Sequence, residues 1–458
     1  MFRYLVILIF INLIAATPLP GSSSGKEGEP VQPPVDSDIA DVRNLPQEIG
    51  AYASSFRDGY PGKMCRDYYL AEFRRKYYSP WTGNVPVTSI PEAMATMQGH
   101  LQRVWYAENK RRVSGRFLEE LAANCDLEHF PSLHMPAIAT ATADMRVLPT
   151  TKPFFENADD FPFDALQNTS VKLNEPLRVL HISRDALWVF VETADTSGWV
   201  QAREIGYLDE TLAKKWMERP QIVITRDLTL IREKSGQAQQ RVKVGTICPL
   251  VGVDGHDFEI AVAAKAGYHQ AVEITAKVAQ EAAGIFPLEL NRSTVTLIGD
   301  ELVSKPYGWG EKYLDRDCSA MIRDFFLPFG IWLPRGSYNQ IHSGRTISLS
   351  GLSGSEKERL IMEKGVPFLT LVYVKGHIMI YIGNRNGRPL IFHSTWGISV
   401  RDGKGGEYKK IIGKSIVSTL NPGAELDLAV APLLEKVTSI LVLGDNGACV
   451  KQTDGSRE

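Results

Sequence analysis

The period of the hydrophobic pattern changes near Pro136, and this change restricts the fold more than any other feature of the sequence. Before it, residues 93–113 and 117–127 carry apolar side chains at helical spacing. After it, short runs of β-forming residues are separated by Pro, Asn, Asp and Gly, which is typical of small barrels. From about residue 280, helical and strand patterns are mixed. The sequence therefore predicts an α+β multidomain chain.

The β-forming runs fall into two similar sets, which predict two related barrels. The first set comprises residues 143–148, 177–182, 187–192 and 198–202. The second set comprises residues 221–225, 228–232, 246–253, 258–263 and 270–274. The expected organisation is a signal peptide at 1–17, a disordered linker at 18–45, a self-contained helical domain at 46–138, barrels at 139–208 and 209–279, and a C-terminal α+β domain at 280–458.

Length and charge limit the class of protein. A chain of 458 residues is too long for one ordinary core, and the usual domain size predicts roughly three or four domains. A hydrophobic content of 44% with 23% charged residues is typical of a globular protein. Because the formal net charge is only -2, we expect neither a nucleic acid nor an anionic membrane surface as partner.

The N-terminus has the pattern of an export signal. Arg3 precedes an apolar run over residues 4–14, and Ala15-Ala16-Thr17 offers a cleavage site. The run is shorter than the roughly 20 residues that a membrane span needs, so we expect a secreted, periplasmic or cell-wall-associated protein with no stable membrane span. The Pro- and Ser-rich stretch that follows predicts a flexible tether, with the folded part beginning near Leu45.

Five cysteines in an exported chain leave at least one unpaired. Cys65 and Cys125 both fall in the first folded segment and could form a disulfide, although spacing alone does not decide this. Cys248 and Cys449 have apolar, strand-like surroundings that predict buried structural thiols. Cys318 differs from all of them, because it begins an apolar helical stretch directly after Asp317.

Cys318 has the setting of a nucleophile. Asp317 is a good N-cap for a helix over residues 318–326, which ends at Pro328. The thiol would then lie at the positive end of the helix dipole, which we expect to lower its pKa, and only the thiolate is an effective nucleophile. A thiol nucleophile also needs an imidazole to take up and return protons.

Two histidines follow on strand patterns. His377 opens a strand in which it shares a face with Met379 and Tyr381. His393 joins that face only if the connection at 384–387 has an odd length, which would pair His393 with residue 379 or a near neighbour. The other histidines are scattered, and no His-Glu-x-x-His or Cys-x-x-Cys spacing is present, so we expect no metal or other cofactor.

An aromatic and acidic loop of the first barrel allows two interpretations. Residues 154–164 alternate Phe154, Phe155, Phe161 and Phe163 with acidic side chains. The loop could fold back on the core of its own barrel. Alternatively, it could form one wall of a substrate cleft, where its acids would meet a cationic end of the substrate.

Successive motifs of the last segment resemble those of the NlpC family of papain-like cell-wall cysteine peptidases. The motifs are Tyr307-Gly-Trp-Gly, Asp317-Cys-Ser, residues 330–335 with Gln340, residues 376–383, and Phe392-His393. The preceding region resembles larger members of the family, in which a helical stabilising domain and two bacterial SH3-type barrels precede the peptidase domain. Such members are γ-D-glutamyl-L-diamino-acid endopeptidases, which act on peptidoglycan stem peptides.

The resemblance implies a role for each matching residue. Cys318 would be the nucleophile, His377 the general base and acid, and His393 the residue that orients His377. Tyr307 would lie beside the nucleophile and help stabilise the oxyanion, together with the backbone N–H of Cys318. The implied reaction is cleavage of the amide between γ-D-Glu and a diamino acid, diaminopimelate in the type case.

Three further residues are implied in substrate binding. Asp317 and Ser319 would help hold the free amine of the substrate's L-Ala. Arg335 also matches a family motif, but a structural salt bridge explains it equally well. The sequence departs from the family pattern where glycine is common, at Glu311, Ala320 and Met379. Of these, Glu311 is expected to change the charge of the cleft.

Substrate size and reaction class stay open on the sequence. A first barrel packed over the cleft would select short peptides with a free L-Ala, whereas a barrel standing aside would admit cross-linked murein. A protein that chiefly binds cell wall through its barrels, or another papain-like amidase or acyltransferase, would fit the same pattern, because a triad does not choose its acyl group.

Overall fold

The structure, a computed structural model, describes residues 39–83, 89–234, 239–401, 407–426 and 432–444. The predicted signal peptide and Cys449 lie outside these ranges, as does most of the predicted linker. Within the described ranges, Ile39 already packs against the fold, ahead of the predicted start near Leu45. Ile39 is fully buried against Ile412 and Ile416, and the Asp41 carboxylate accepts hydrogen bonds from the backbone N–H and the hydroxyl of Thr419.

The N-terminal region is helical, as predicted. Helices α1 to α5 span Ala40–Asn44, Lys63–Tyr77, Ser79–Thr82, Ile90–Leu101 and Gly115–Cys125. The predicted helix over 93–113 is too long, since α4 ends at Leu101 and the Trp105 indole N–H then donates to the carbonyl of His100. Helix α5 begins at a Ser114 cap and ends where Asp126 adopts a left-handed backbone with φ 48°.

These helices do not form the self-contained core that was predicted. Helix α2 packs Cys65 and Tyr69 against the C-terminal domain. Helices α4 and α5 instead pack Met97 and Leu121 onto aromatic side chains of the first β-region, Trp199 among them. The N-terminal helices therefore fasten the other domains to one another. Cys65 is disulfide-bonded, and because Cys125 and Cys248 are free and buried, a Cys65–Cys125 disulfide is excluded.

Strands β1 to β7 make up the first β-region, which we call β-domain 1. They span Met135–Ala139, Ala143–Arg146, Gln167–Val171, Pro176–Ile182, Trp188–Glu192, Ser197–Gln201 and Ile205–Tyr207. The four predicted strands are present, and the short strands β1, β3 and β7 were missed. Alternate side chains such as Val179, Val189 and Val200 fill the core between them.

Strands β8 to β14 make up β-domain 2, which follows helix α6 at Glu210–Glu218. The strands span Gln221–Ile224, Thr229–Glu233, Gln239–Val242, Ile247–Asp254, Asp257–Ala266, Gln270–Ala279 and Ala283–Phe286. Ile222, Val262 and Cys248 lie in its core. Strand β13 meets β7 at Gln270 and Tyr207, so the two β-domains share a continuous 14-stranded sheet.

The C-terminal domain packs helices against a six-stranded antiparallel sheet. Helices α7 to α11 span Arg292–Leu302, Cys318–Phe326, Ser337–Ile341, Gly354–Lys364 and Leu433–Lys436. Strands β15 to β20 span Thr346–Ser348, Thr370–Val374, His377–Arg385, Arg388–Arg401, Glu407–Thr419 and Val437–Val442, in the sheet order β15-β20-β16-β17-β18-β19. Helix α8 buries its predicted stripe of Met321, Ile322, Phe325 and Phe326 in the main core.

Candidate active site

Helix α8 begins where the sequence predicts. The Asp317 side chain caps it by accepting a hydrogen bond of 2.9 Å from the Ala320 N–H, so Cys318 is the first helical residue. The Cys318 side chain is nearly buried, and the backbone N–H groups of Ile378 and Ser319 are near enough to act against the rise in its pKa. The thiol therefore lies between the start of α8 and the start of β17.

The expected lowering of the thiol pKa is wrong for this structure. Burial, together with the neighbouring Asp317 carboxylate, raises the pKa of Cys318 to about 12. Loss of water around a thiolate and repulsion by an adjacent anion outweigh the partial charge of one helix end. The resting thiol is therefore protonated, and the nucleophile must be formed by proton transfer to a base.

His377 and His393 lie in direct contact. Nε2 of His377 is 2.8 Å from Nδ1 of His393, and Nε2 of His393 is 3.1 Å from Oγ of Ser418 on β19. Burial lowers the pKa of His377 to about 4 and that of His393 well below its usual value. Both rings are therefore neutral near pH 7, and Nδ1 of His377 is the ring nitrogen that His393 leaves free, in the cleft that Cys318 also lines.

A β-bulge brings the two histidines to one face, and not the odd-length loop that was predicted. The hairpin closes at Arg385 and Arg388, which leaves a two-residue turn at Asn386 and Gly387, both with positive φ. Continued without a break, that register would pair His393 with Ile380, on the wrong face. The register shifts by one residue between Tyr381 and Gly383, and its continuation places His393 opposite Met379.

Gly383 makes this bulge possible. Its φ is 125°, a backbone conformation that residues with a Cβ rarely adopt. An added Cβ would also lie 2.6 Å from Oγ of Ser55. The relative position of the two histidines thus depends on a glycine that contacts neither of them.

Tyr307 lines the same cleft as the nucleophile. Burial raises the pKa of its hydroxyl well above the usual value, so the group keeps its proton and can donate a hydrogen bond. Its ring lies 6.0 Å from that of Trp396, centroid to centroid. This position agrees with a donor directed at a developing oxyanion.

Asp317, Ser319 and Arg335 form one buried hydrogen-bonded cluster. The Arg335 guanidinium bonds both carboxylate oxygens of Asp317, at 2.9 and 2.7 Å, and also donates to the Ser319 hydroxyl. Burial opposes ionisation of Asp317, but Arg335 and the Ala320 N–H keep its pKa below the usual value. Arg335 therefore forms the structural salt bridge that the sequence left as one alternative, at the wall of the cleft.

Glu311 does not face the cleft, contrary to expectation. Its carboxylate is fully buried, where it accepts from Lys243 Nζ at 2.6 Å, Arg323 Nη2 at 2.7 Å and the Thr169 hydroxyl at 2.5 Å. Lys243 belongs to β-domain 2 and Thr169 to β-domain 1, so the carboxylate joins three domains. Glu311 holds a left-handed backbone with φ 63°, where a glycine would be unstrained.

β-domain 1 forms part of the cleft wall. Gln167, Asn168, Asp195 and Thr196 line the cleft. The Gln167 side chain donates to the Gly310 carbonyl at 3.0 Å, and an added Cβ on Gly310 would lie 2.6 Å from the Gln167 carbonyl oxygen. The backbones of the two domains thus meet directly beside the nucleophile.

The aromatic loop of β-domain 1 serves both purposes that the sequence left open. Phe154 and Phe155 are buried, Phe154 in the core shared with the N-terminal helices. Phe163 instead lies edge-on to Trp309 at 5.1 Å, and Phe161 reaches Trp396 at 6.3 Å. Phe163, Trp309 and Trp396 line the cleft, whereas the acidic Asp164 is buried in a pair with Arg146.

All the residues proposed from the sequence line one cleft of about 690 Å³. They are Tyr307, Asp317, Cys318, Ser319, Arg335, His377 and His393. Sequence reasoning missed Ser418, the four cleft-lining residues of β-domain 1 and Trp396.

Within the described ranges, no cluster of His, Cys, Asp and Glu is arranged to hold a metal ion. In the same ranges, none of the helices is long and apolar enough to cross a membrane.

Three family models match successive parts of the chain. They are the N-terminal NLPC_P60 stabilising domain at residues 10–130, an SH3 domain of the SH3b1 type at 153–201, and the NlpC/P60 family at 304–414. A comparison with curated proteins finds no match. The order of the three models agrees with the helical, β and α+β regions of the structure.

Solved structures are similar over long stretches. An NlpC/P60 endopeptidase from Photobacterium damselae subsp. piscicida has a TM-score of 0.80 at 22% identity, covering 88% of this chain and 98% of its own. An NlpC/P60 family protein from Bacillus cereus has a TM-score of 0.44 at 15% identity, covering 67% and 98%. The first of these shares the fold over the part of the chain that it covers. Residues 304–414 thus match the NlpC/P60 family model, behind matches to the NLPC_P60 stabilising domain and to an SH3 domain.

Proposed function

We propose that this protein is an exported cysteine endopeptidase that cleaves the amide between γ-D-Glu and diaminopimelate in peptidoglycan stem peptides with a free L-Ala. The NlpC/P60 domain supports a peptidase that acts on peptidoglycan. The observation that carries the proposal is the hydrogen-bonded pair His377–His393 in one cleft with Cys318. Export to the periplasm, the medium or the cell wall is proposed from the signal-like N-terminus.

The chemistry begins with a neutral thiol and a neutral imidazole. As the substrate carbonyl approaches, Nδ1 of His377 takes the thiol proton and Cys318 attacks the carbonyl carbon. The Cys318 N–H and the Tyr307 hydroxyl are placed to stabilise the resulting oxyanion, each donor contributing about 3 kcal/mol in comparable sites. His377 then protonates the leaving amine, and water hydrolyses the thioester with His377 as base.

The free amine of L-Ala is assigned to the Asp317 side of the cleft. Asp317 keeps its negative charge although it is buried, because Arg335 lies against it. Asp195 also lines the cleft and accepts from the Arg335 backbone N–H, so a second carboxylate adds negative charge at this end. A cationic ammonium group fits this end better than a continuing acylated chain, because a peptide nitrogen carries no charge to pair with the carboxylates.

The position of β-domain 1 supports a short substrate. Asn168, Asp195 and Thr196 line the cleft from that domain, and the Gln167–Gly310 contact joins the two domains at this wall. Stem peptides released from glycan would enter, whereas intact murein would be excluded. A cell-wall scavenging or recycling role follows from this selection.

Incubation with two substrates tests the proposal. The free tripeptide L-Ala-γ-D-Glu-meso-diaminopimelate is expected to be cut between its second and third residues, and intact sacculi are expected to release less than a hundredth as much product. Mass spectrometry identifies the products in both reactions. Acetylation of the L-Ala amine provides the matched control and is expected to reduce cleavage strongly. Equal release from sacculi would contradict the short substrate, and no cleavage of the tripeptide would contradict the proposed bond.

Three lysines on the histidine side of the cleft support diaminopimelate over lysine as the leaving group. They are Lys375, Lys409 and Lys436, all exposed, whereas the described acids that line the cleft are Asp195 and Asp317. Lys375 follows Val374, which pairs with Val437, so Lys375 and Lys436 are neighbours across β16 and β20. If the acyl part lies at Asp317, the leaving amine lies toward these lysines. Their charges would attract the second carboxylate of diaminopimelate and repel the ammonium of lysine.

Charge reversal of this group tests the choice of diamino acid. The double variant Lys375→Glu/Lys436→Glu is expected to lower the ratio of kcat/KM for the diaminopimelate tripeptide over the lysine tripeptide by about threefold to thirtyfold at low salt, since exposed charge pairs are each worth up to about 1 kcal/mol. Lys214→Glu, on a distant helix, is the matched control and is expected to leave the ratio unchanged. If the double variant keeps the wild-type ratio, these lysines do not determine which diamino acid is preferred.

A further inference from the structure

The contacts of Ser418 determine which group donates and which accepts in its hydrogen bond with His393. Oγ of Ser418 lies 2.8 Å from the carbonyl oxygen of Thr419 and 3.1 Å from Nε2 of His393. A carbonyl oxygen only accepts, so the single hydroxyl proton of Ser418 points to Thr419. The Ser418 oxygen then accepts a proton from His393, whose Nε2 must carry it.

The protonation of His393 in turn determines which ring nitrogen of His377 carries a proton. With its one proton on Nε2, neutral His393 presents an unprotonated Nδ1, which accepts from Nε2–H of His377 at 2.8 Å. Neutral His377 therefore carries its proton on Nε2 and leaves Nδ1 free to accept the thiol proton. The reverse arrangement, with a proton on Nδ1 of His377, would present a donor to Cys318 and could not act as a base.

We propose that Ser418 is a positioning residue that selects the base-competent tautomer of His377 through His393. Ser418 is fully buried and His393 nearly so, and removal of the Ser418 hydroxyl takes away the described acceptor of Nε2–H of His393. The His393 tautomer with its proton on Nδ1 is then favoured. This tautomer donates to Nε2 of His377, so the proton of His377 lies on Nδ1 and that nitrogen cannot accept the thiol proton. The residue acts without contact to substrate, and the inference is independent of which peptide is cleaved.

The sheet places Ser418 where this role requires it. His393 pairs with Ile416, and Ser418 pairs with Ile391, so Ser418 is the diagonal neighbour of His393 on the same face. Ser415, on the same strand, is also buried, but its hydroxyl donates to the carbonyl of Leu302. The two serines therefore differ in whether they can reach the histidine pair.

The tautomer is directly measurable. Nitrogen-15 NMR of the histidine rings, in the full chain without substrate, distinguishes protonated from unprotonated ring nitrogens. Wild-type protein is expected to show His393 protonated at Nε2, and Ser418→Ala is expected to show it protonated at Nδ1. In the same variant we expect kcat to fall by about tenfold to a hundredfold with KM within twofold, since an unpaired buried donor is disfavoured to this degree. Alkylation of Cys318 by iodoacetamide, assigned by peptide mapping, is expected to slow in parallel.

Two further variants distinguish a positioning role of Ser418 from a general effect on stability. Ser415→Ala is expected to lower the unfolding midpoint yet keep the wild-type nitrogen-15 pattern and alkylation rate. Ser418→Thr retains the hydroxyl and is expected to restore the wild-type tautomer. The proposal is overturned if Ser418→Ala keeps the wild-type ring protonation, whether or not its activity falls, because a fall without a tautomer change would be a packing effect. The NMR and alkylation readouts keep their meaning even if another amide proves to be the substrate.

Discussion

Replacing Cys318 with alanine is expected to abolish cleavage of the tripeptide, with kcat falling by roughly 10⁴-fold or more. Among the described residues that line the cleft there is no second thiol, and none of the lining hydroxyl groups forms a hydrogen bond with His377 or His393. Because Met321, Ile322, Phe325 and Phe326 carry most of the packing of α8, the variant is expected to fold, with an unfolding midpoint only slightly below that of the wild type. Product formation is measured by mass spectrometry over hours, so that slow turnover is detected.

Cys125→Ala supplies the matched control for this loss. Cys125 is a free, buried cysteine at the end of α5, away from the cleft, and its replacement is expected to keep wild-type kcat. If the Cys318 variant still cleaved the tripeptide at the wild-type rate, the thiol mechanism would be wrong. If both variants lost activity together, the loss would reflect folding rather than chemistry.

Glu311→Gln is expected to produce the largest loss of stability among single side-chain changes at the domain junction. Its carboxylate compensates Lys243 and Arg323 at 2.6 and 2.7 Å, inside a fully buried cluster. Removal of one partner from a buried charge network leaves the others uncompensated, which typically destabilises by about 3–5 kcal/mol. The measurement is the urea midpoint, followed by tryptophan fluorescence at pH 7.

The loss of stability in Glu311→Gln is expected to be smaller at low pH than at neutral pH. Burial alone would raise the pKa of Glu311, but Arg323, Lys243, Lys172 and Arg335 hold it well below its usual value. A carboxyl group whose folded-state pKa is lowered adds stability above its unfolded pKa of about 4.3, and this stability is lost as the pH falls further. The gap between wild type and Glu311→Gln should therefore narrow below about pH 4.

A partly exposed pair provides the comparison for Glu311. Glu259 bonds Lys234 at 2.9 Å, and the Lys234 side chain is 61% exposed. Glu259→Gln is expected to change the free energy of unfolding by less than about 1 kcal/mol. Equal midpoints for both variants would show that the buried cluster does not hold the domains together.

The parts of the fold set by local pattern were predictable. Helix α8 and its Asp317 cap follow from a capping residue before an apolar stripe, and the strands of β-domains 1 and 2 follow from alternation between turn residues. The N-terminal helices show the limit of such patterns. Periodicity indicates that a helix has an apolar face, but not which partner covers it, so α2 and α4 were assigned to one domain although they pack against different ones.

The location of the candidate residues in one cleft was predictable, whereas the electrostatics of that cleft were not. Motif matches identified Cys318, His377 and His393, which line one cleft. The direction of the thiol pKa depends on burial and on the distance to Asp317, neither of which a helix pattern contains. Ser418 left no motif signal, although its position one β-strand beyond His393, on an alternating pattern, was a signal that could have been followed.

The β-bulge in β17 shows that the contact between His377 and His393 depends on a difference in length between the two arms of the hairpin. Residues 380–385 separate Met379 from the hairpin turn, whereas residues 388–392 separate the turn from His393, so one arm is longer by a single residue. The bulge at Gly383 accommodates this extra residue. Deletion of Ile382 would equalise the arms, leave the two histidines on a common face and remove the need for glycine at 383. Insertions and deletions in this hairpin are therefore constrained by the difference between its arms rather than by the length of either one.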